Sequence, residues 1–103
     1  MDIKLAKKLI RTVGSECGYT VSGKPSDNSF DVYFDRNRHG VAFQIKHSTH
    51  PKAEKNGWLQ VHHYEGEPEE WGVALHSLRS IGDVVGFCQV LMSFEKIKAK
   101  RKD

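Results

Sequence analysis

Asp31, then Gln44 and Lys46 after twelve intervening residues, place an acid, an amide and a lysine where one fold element can gather them. Two alternating apolar runs carry them, Phe30-Asp31-Val32-Tyr33-Phe34 and Gly40-Val41-Ala42-Phe43-Gln44-Ile45-Lys46. Between the runs lies the polar Asp35-Arg36-Asn37-Arg38-His39. A period of two with β-branched and aromatic residues on both arms predicts a β-hairpin. Successive strand side chains point to opposite faces. Phe30, Val32, Phe34, Val41, Phe43 and Ile45 are therefore expected in a core, and Asp31, Tyr33, Gln44 and Lys46 on the other side. With the turn centred between Asn37 and Arg38, Asp31 lies opposite Gln44, and Lys46 is one diagonal step away, about 7–8 Å by Cα spacing. The simplest chemistry of such a patch is a cross-strand salt bridge and a hydrogen bond, worth roughly a few tenths of a kcal/mol.

More demanding chemistry comes by resemblance. A leading helix, a hairpin bearing Asp31, and Gln44-Ile45-Lys46 resemble the start of a PD-(D/E)XK nuclease core. The pattern is most similar to the Gln-x-Lys variant of Mrr-type restriction enzymes and to the spacing of Holliday-junction resolvases. The resemblance covers residues 3 to 47. It implies a magnesium ion held by Asp31 and Gln44, with Glu16 a further acid on the helix and Lys46 positioning or activating the attacking water. Such an ion stabilises charge on a phosphodiester and lowers the pKa of its bound water.

Basic residues form the second constellation. Lys4, Lys7, Lys8 and Arg11 repeat at i, i+3, i+4 and i+7, which predicts a single solvent face on a helix. Lys96, Lys98, Lys100, Arg101 and Lys102 crowd the other end, and Arg36 and Arg38 sit on the hairpin turn. Net charge is +3, yet four of the thirteen acids (Glu65, Glu67, Glu69 and Glu70) fall in one short stretch. Nine acids are left against sixteen lysines and arginines elsewhere. This segregation predicts an anionic partner, either nucleic acid or an acidic protein surface, met by the basic helix, the turn, Lys46 and the tail. A merely solvated lysine face is the plainer alternative. Nothing resembles a recognition helix, a stacking motif or a zinc finger, so no base specificity is expected.

Other chemistries find little footing. His47, His50, His62 and His63 lack the paired spacing of a zinc site, and no metal is assigned to them. As neighbours on a strand, His62 and His63 should point to opposite faces, one in the core and one in water. Cys17 and Cys88 fall on apolar helix faces and read as buried free thiols of a reducing compartment, in preference to a disulfide. There is no Gly-x-Ser-x-Gly, and Gly82 and Gly86 lack the lysine of a phosphate loop. No cofactor is expected, magnesium excepted under the nuclease alternative.

Positioning these residues requires a small set of elements. Residues 2 to about 17 have an apolar stripe of Ile3, Ala6, Ile10, Val13 and Cys17, an amphipathic helix that Gly18 can stop. Tyr19-Thr20-Val21 is a short strand, and 22–28 is rich in turn formers. Thr49–Asn56 reads as a loop. Trp58–Tyr64 reads as a third strand, with a helix as the alternative, and Trp71–Leu75 as a fourth after an acidic turn. Ser80 and Asp83 begin a final helix whose apolar surface, from Ile81 through Ile97, is too wide for one contact. At 103 residues, 38% hydrophobic and 28% charged, this is one α+β domain over 1–95 with a basic tail over 96–103. The expected architecture is an N-terminal helix, an antiparallel sheet of three to five strands in meander order, and a long C-terminal helix, both helices on one sheet face.

No apolar stretch approaches the roughly 18 residues of a membrane span and no signal-peptide pattern opens the chain, so a cytoplasmic protein is expected. A small non-enzymatic binding protein ranks first, of the size and character of accessory factors of phages and mobile elements. Its expected partner is nucleic acid or a nucleic-acid-associated complex. A magnesium-dependent nuclease or its inactive relative, centred on Asp31, Gln44 and Lys46, ranks second. A scaffold that dimerises through the last helix ranks third.

Overall fold

Asp2 starts the first helix, its carboxylate accepting from the Leu5 N–H at 3.1 Å and so satisfying one of the donors every helix leaves free at its start. The computed structural model describes residues 1–33, 42–48, 57–64 and 71–101, with backbone alone at 64, 71–73 and 94–101. Helix α1 (Ile3–Glu16) is followed by strands β1 (Thr20–Val21), β2 (Ser29–Tyr33), β3 (Ala42–Ser48), β4 (Trp58–Tyr64) and β5 (Trp71–Leu78), then helix α2 (Ile81–Arg101). Gly18 ends α1 at φ +89°, its N–H bonding Ser15 O while the Tyr19 N–H bonds Gly14 O. This is a Schellman close that only a left-handed residue completes. At the other helix the Asp83 N–H donates to Ser80 Oγ at 3.1 Å, and Asp83 Oδ2 accepts from the Arg79 N–H at 3.0 Å, a capping box displaced by one residue.

The five strands form one antiparallel meander, β1-β2-β3-β4-β5, with both helices on one face. Asp31 lies opposite Gln44 and Phe30 opposite Ile45, the register expected from a turn between Asn37 and Arg38. Segment 58–64 is strand, pairing with β3 and β5. Phe30, Val32, Phe43, Ile45, Leu59, Val61 and Leu78 of the sheet pack against Ala6 and Ile10 of α1 and Val84, Phe87, Cys88 and Leu91 of α2. Phe43 and Phe87 meet edge to face, centroids 5.3 Å apart at 83°. Gly14 lets α1 sit close to the sheet, since a Cβ there would stand 3.3 Å from Val32 Cγ1. Phe34 and Val41, also expected in the core, lie outside the described residues.

Two boundaries differ from the sequence expectation. β5 runs on to Leu78, because Leu78 continues the core-facing row opposite Leu59. Helix α2 extends through Arg101, so positions 96–101 of the basic stretch are helical. Lysine, alanine and arginine are good helix formers, and no glycine or proline intervenes to stop it. Among the described residues no helix is long and apolar enough to cross a membrane.

The buried Tyr19 hydroxyl donates to Leu91 O of α2 at 2.8 Å, tying the end of α1 to a residue 72 positions away. Tyr19→Phe keeps the ring and removes this bond. Chemical denaturation should show a loss of about 0.5–1.5 kcal/mol with the unfolding slope unchanged.

Candidate functional site

On the sheet face away from the helices, Asp31, Gln44 and His62 form one row across β2, β3 and β4. Ser29, Lys46, Gln60 and Ser77 form the next. Gln60 is a hub that sequence reading missed. Its Oε1 accepts from Trp58 Nε1 and from Ser77 Oγ, both at 3.0 Å, and its Nε2 donates to His76 O at 3.1 Å. Arg79 lies over the Trp58 ring, 4.5 Å from its centroid. The signal available beforehand was the polar alternation of β4, with Trp58, Gln60 and His62 on one face.

Asp31, Gln44 and Lys46 are thus brought together as expected, but their environments differ. Lys46 is exposed. Asp31 Oδ2 accepts from Ser22 Oγ at 3.2 Å, and the Asp31 N–H donates back to the same hydroxyl at 3.3 Å. Gln44 is 7% exposed, and its Oε1 is sealed from solvent with no hydrogen-bond partner. Glu16 is exposed at the end of α1, on the helix-covered side of the sheet.

These residues do not fit a magnesium ion. The ion takes about six oxygens in near-ideal octahedral geometry and usually keeps several as water. The cluster offers one carboxylate, already engaged by Ser22, and an amide oxygen that water does not reach. The nuclease core also has a helix after its motif, where this chain has β4.

The basic face of α1 splits into two pairs. Lys7 is buried, and its Nζ donates to Asp27 O at 3.1 Å. Arg11 donates through Nη1 to Ser22 O at 3.2 Å and through Nη2 to Gly23 O at 3.0 Å, with its guanidinium 5.2 Å from the Phe30 ring centroid. The expected single solvent face of four cations is therefore corrected, because long side chains lay their stems on the protein and carry the charge to carbonyls that need donors. Lys4 and Lys8 stay exposed. They flank an open groove of about 630 Å³ between α1 and the 22–28 turn, lined also by Leu5, Thr12, Pro25 and Ser26. Leu5 is 43% exposed.

Arg36, Arg38 and Lys102 lie outside the described residues, and Lys98, Lys100 and Arg101 are described as helical backbone only. His50 also lies outside. His62 and His63 take opposite faces as expected, His63 on that of Leu59 and Val61, but neither enters the core: His62 is half-buried on the outer face and His63 is exposed. Among the described residues no three histidine, cysteine or acidic side chains gather as a metal site would require. Cys17 is half-buried and Cys88 buried, both as free thiols. Burial, and then Cys17 nearby, push the Cys88 thiol above its ordinary value.

No protein-family model, curated protein or solved structure matches this chain.

Two measurements check this geometry. Gln44→Met fills the same space without an unpaired acceptor, and should raise stability by about 1–2 kcal/mol in denaturant titration. Because the folded state holds the Cys88 proton more tightly, its contribution to stability is full below the ordinary thiol range. It is lost as pH rises above that range and through the raised value of the folded state. Thermal melts of the native chain should therefore fall more steeply above that range than those of Cys88→Ala, and Cys88 should react with thiol reagents more slowly than Cys17.

Proposed function

We propose that this chain is a small non-enzymatic binding protein, an accessory or regulatory factor that engages an anionic partner at the groove between α1 and the 22–28 turn. The observation that carries the reading is the division of labour on α1. Lys7 and Arg11 hold the turn in place as a wall, while Lys4 and Lys8, one helical turn apart, face solvent beside the exposed Leu5. A firm wall with two uncommitted ammonium groups attracts negative charge and leaves apolar surface for contact.

The count of uncommitted cations on α1 bears on the partner that this groove would take. Each neutralised phosphate of a duplex adds about 0.9 to the salt slope, and tight duplex binders make many such contacts. Two lysines beside Leu5 and Pro25 suit an acidic segment of a protein, with a hydrophobic residue among its carboxylates, better than a phosphate backbone. In a nucleic-acid-associated complex that segment would belong to the protein component. Free thiols at Cys17 and Cys88 agree with work in the cytoplasm.

Lys4→Glu combined with Lys8→Glu should leave circular dichroism and melting unchanged. It should weaken binding of a fluorescent Glu/Leu peptide more than tenfold by anisotropy, and the native affinity should drop between 50 and 200 mM salt. Equal affinity of the double variant and the native chain for both the peptide and a DNA duplex sinks the proposal. Arg11→Ala is the contrasting control. It should lose about 1.5–3 kcal/mol of stability, because it removes a charged donor from two carbonyls.

A further inference from the structure

We infer that the segment received by the α1 groove is an amphipathic helix carrying two carboxylates one turn apart, which pair with Lys4 and Lys8. The inference rests on the reading of this groove as an acid-binding site and adds the conformation of the partner. Lys4, Lys8 and Thr12 stand at i, i+4 and i+8 of α1 and are all exposed, so they form one ridge along the helix. Ridges of this spacing are those by which one helix packs into the grooves of another. Eight steps at 1.5 Å each make the ridge about 12 Å long, a little over two turns. Leu5 is exposed beside it, and Pro25 and Ser26 form the far bank of the groove.

The two walls select a helix over an extended chain. One wall is α1, whose interior N–H and C=O groups bond within the helix. The other is the 22–28 turn, and most of its backbone is already engaged. The carbonyls of Ser22, Gly23 and Asp27 accept from Arg11 and Lys7, and that of Lys24 accepts from the Asp27 N–H. The Lys24 N–H donates to the Asp27 carboxylate, the Ser22 N–H donates to Asp31 O, and Pro25 has no N–H. Neither wall therefore offers the row of donors and acceptors by which a sheet edge takes up an extended segment. A helix brings its own backbone bonds and presents only side chains.

Charge and apolar surface then set the pattern of that helix. The titratable side chains lining the groove are Lys4, Lys7, Lys8 and Arg11, with no acid among them. Lys7 and Arg11 carry their charge to the turn carbonyls, and their stems join Leu5 and Pro25 as apolar surface. Side chains four residues apart on a helix lie about 5–6 Å from one another. Carboxylates at i and i+4 of the partner thus match the separation of Lys4 and Lys8. A leucine at i+3 or i+7 shares their face and meets Leu5 and Pro25.

Fluorescent peptides titrated with the full chain test this by anisotropy. One has Glu at i and i+4 with Leu at i+3 and i+7. A second, of the same composition, has Glu at i and i+2, one side of an extended chain. A third is the first with a central proline. The first should bind at least tenfold more tightly than the other two, and its helical circular dichroism should rise on mixing. Thr12→Lys lengthens the ridge by one cation. It should tighten a peptide with a further Glu at i+8 at least fivefold, and one with that Glu at i+6 less than twofold. Equal affinity for the first three peptides, lost in the Lys4→Glu, Lys8→Glu double variant, leaves the acid-binding groove standing and overturns the helix. If no acidic peptide binds, the groove and the helix fall together. A preference for the helical peptide that survives in the double variant overturns the inference, since another face would carry it. So does a DNA duplex bound more tightly than the helical peptide.

Discussion

Removing one face of a five-stranded sheet from water is the constraint to which the other elements answer. Among the described residues seven sheet side chains are buried on that face, and no single helix is wide enough to cover them. A fully buried valine or isoleucine is worth about 1.5–3 kcal/mol relative to exposure, so an uncovered half-sheet would forfeit much of the stability of a domain this small. The chain meets the need with a helix at each end. α1 brings Ala6 and Ile10, and the close approach at Gly14 sets it directly on Val32. α2 brings Val84, Phe87 and Leu91 over the other side of the core. Covering a meander from both chain termini places the contacts far apart in sequence. A buried bond such as that from Tyr19 to the Leu91 carbonyl then forms only when both helices are seated.

The same economy explains the basic stripe of α1. The 22–28 turn must cross from β1 to β2, and it makes few bonds of its own: Asp27 N–H to Lys24 O, and Lys24 N–H to the Asp27 carboxylate. The carbonyls of Ser22, Gly23 and Asp27 receive donors from the helix side chains instead. Two of the four α1 cations are thereby consumed as structure, and on that helix Lys4 and Lys8 are left exposed. A periodicity of charge places residues on a helix face but does not say whether a second segment lies against that face.

This marks where the sequence was legible and where it was not. The hairpin alternation gave the faces of Phe30, Val32, Phe43 and Ile45, and the turn position gave the pairing of Asp31 with Gln44, because both follow from a strict period of two. Ser80 and Asp83 announced α2 through local bonds alone. Gln44 shows the limit. Its face could be read, but its burial depends on neighbours across three strands, which no local pattern encodes. The extent of β5 was hidden for a similar reason. The register shift against β4 at His62 and Tyr64 breaks the alternation by which a strand is recognised.

Most of the described residues answer to the stability of the fold. The inner face, the caps and the α1 clasp each satisfy a group or bury a surface, and their residues are explained by the fold alone. The buried Gln44 oxygen and the Gly82–Gly86 face oppose that trend: one is an acceptor without a donor, the other two glycines inside a helix. Neither feature improves the isolated chain, since an apolar residue at 44 and alanine at 82 or 86 would fit as well or better. Lys4 and Lys8 are neutral in the same sense, solvated and free to be anything polar. What distinguishes the two is reach: the glycines face open space, whereas the Gln44 oxygen is sealed inside its own sheet face.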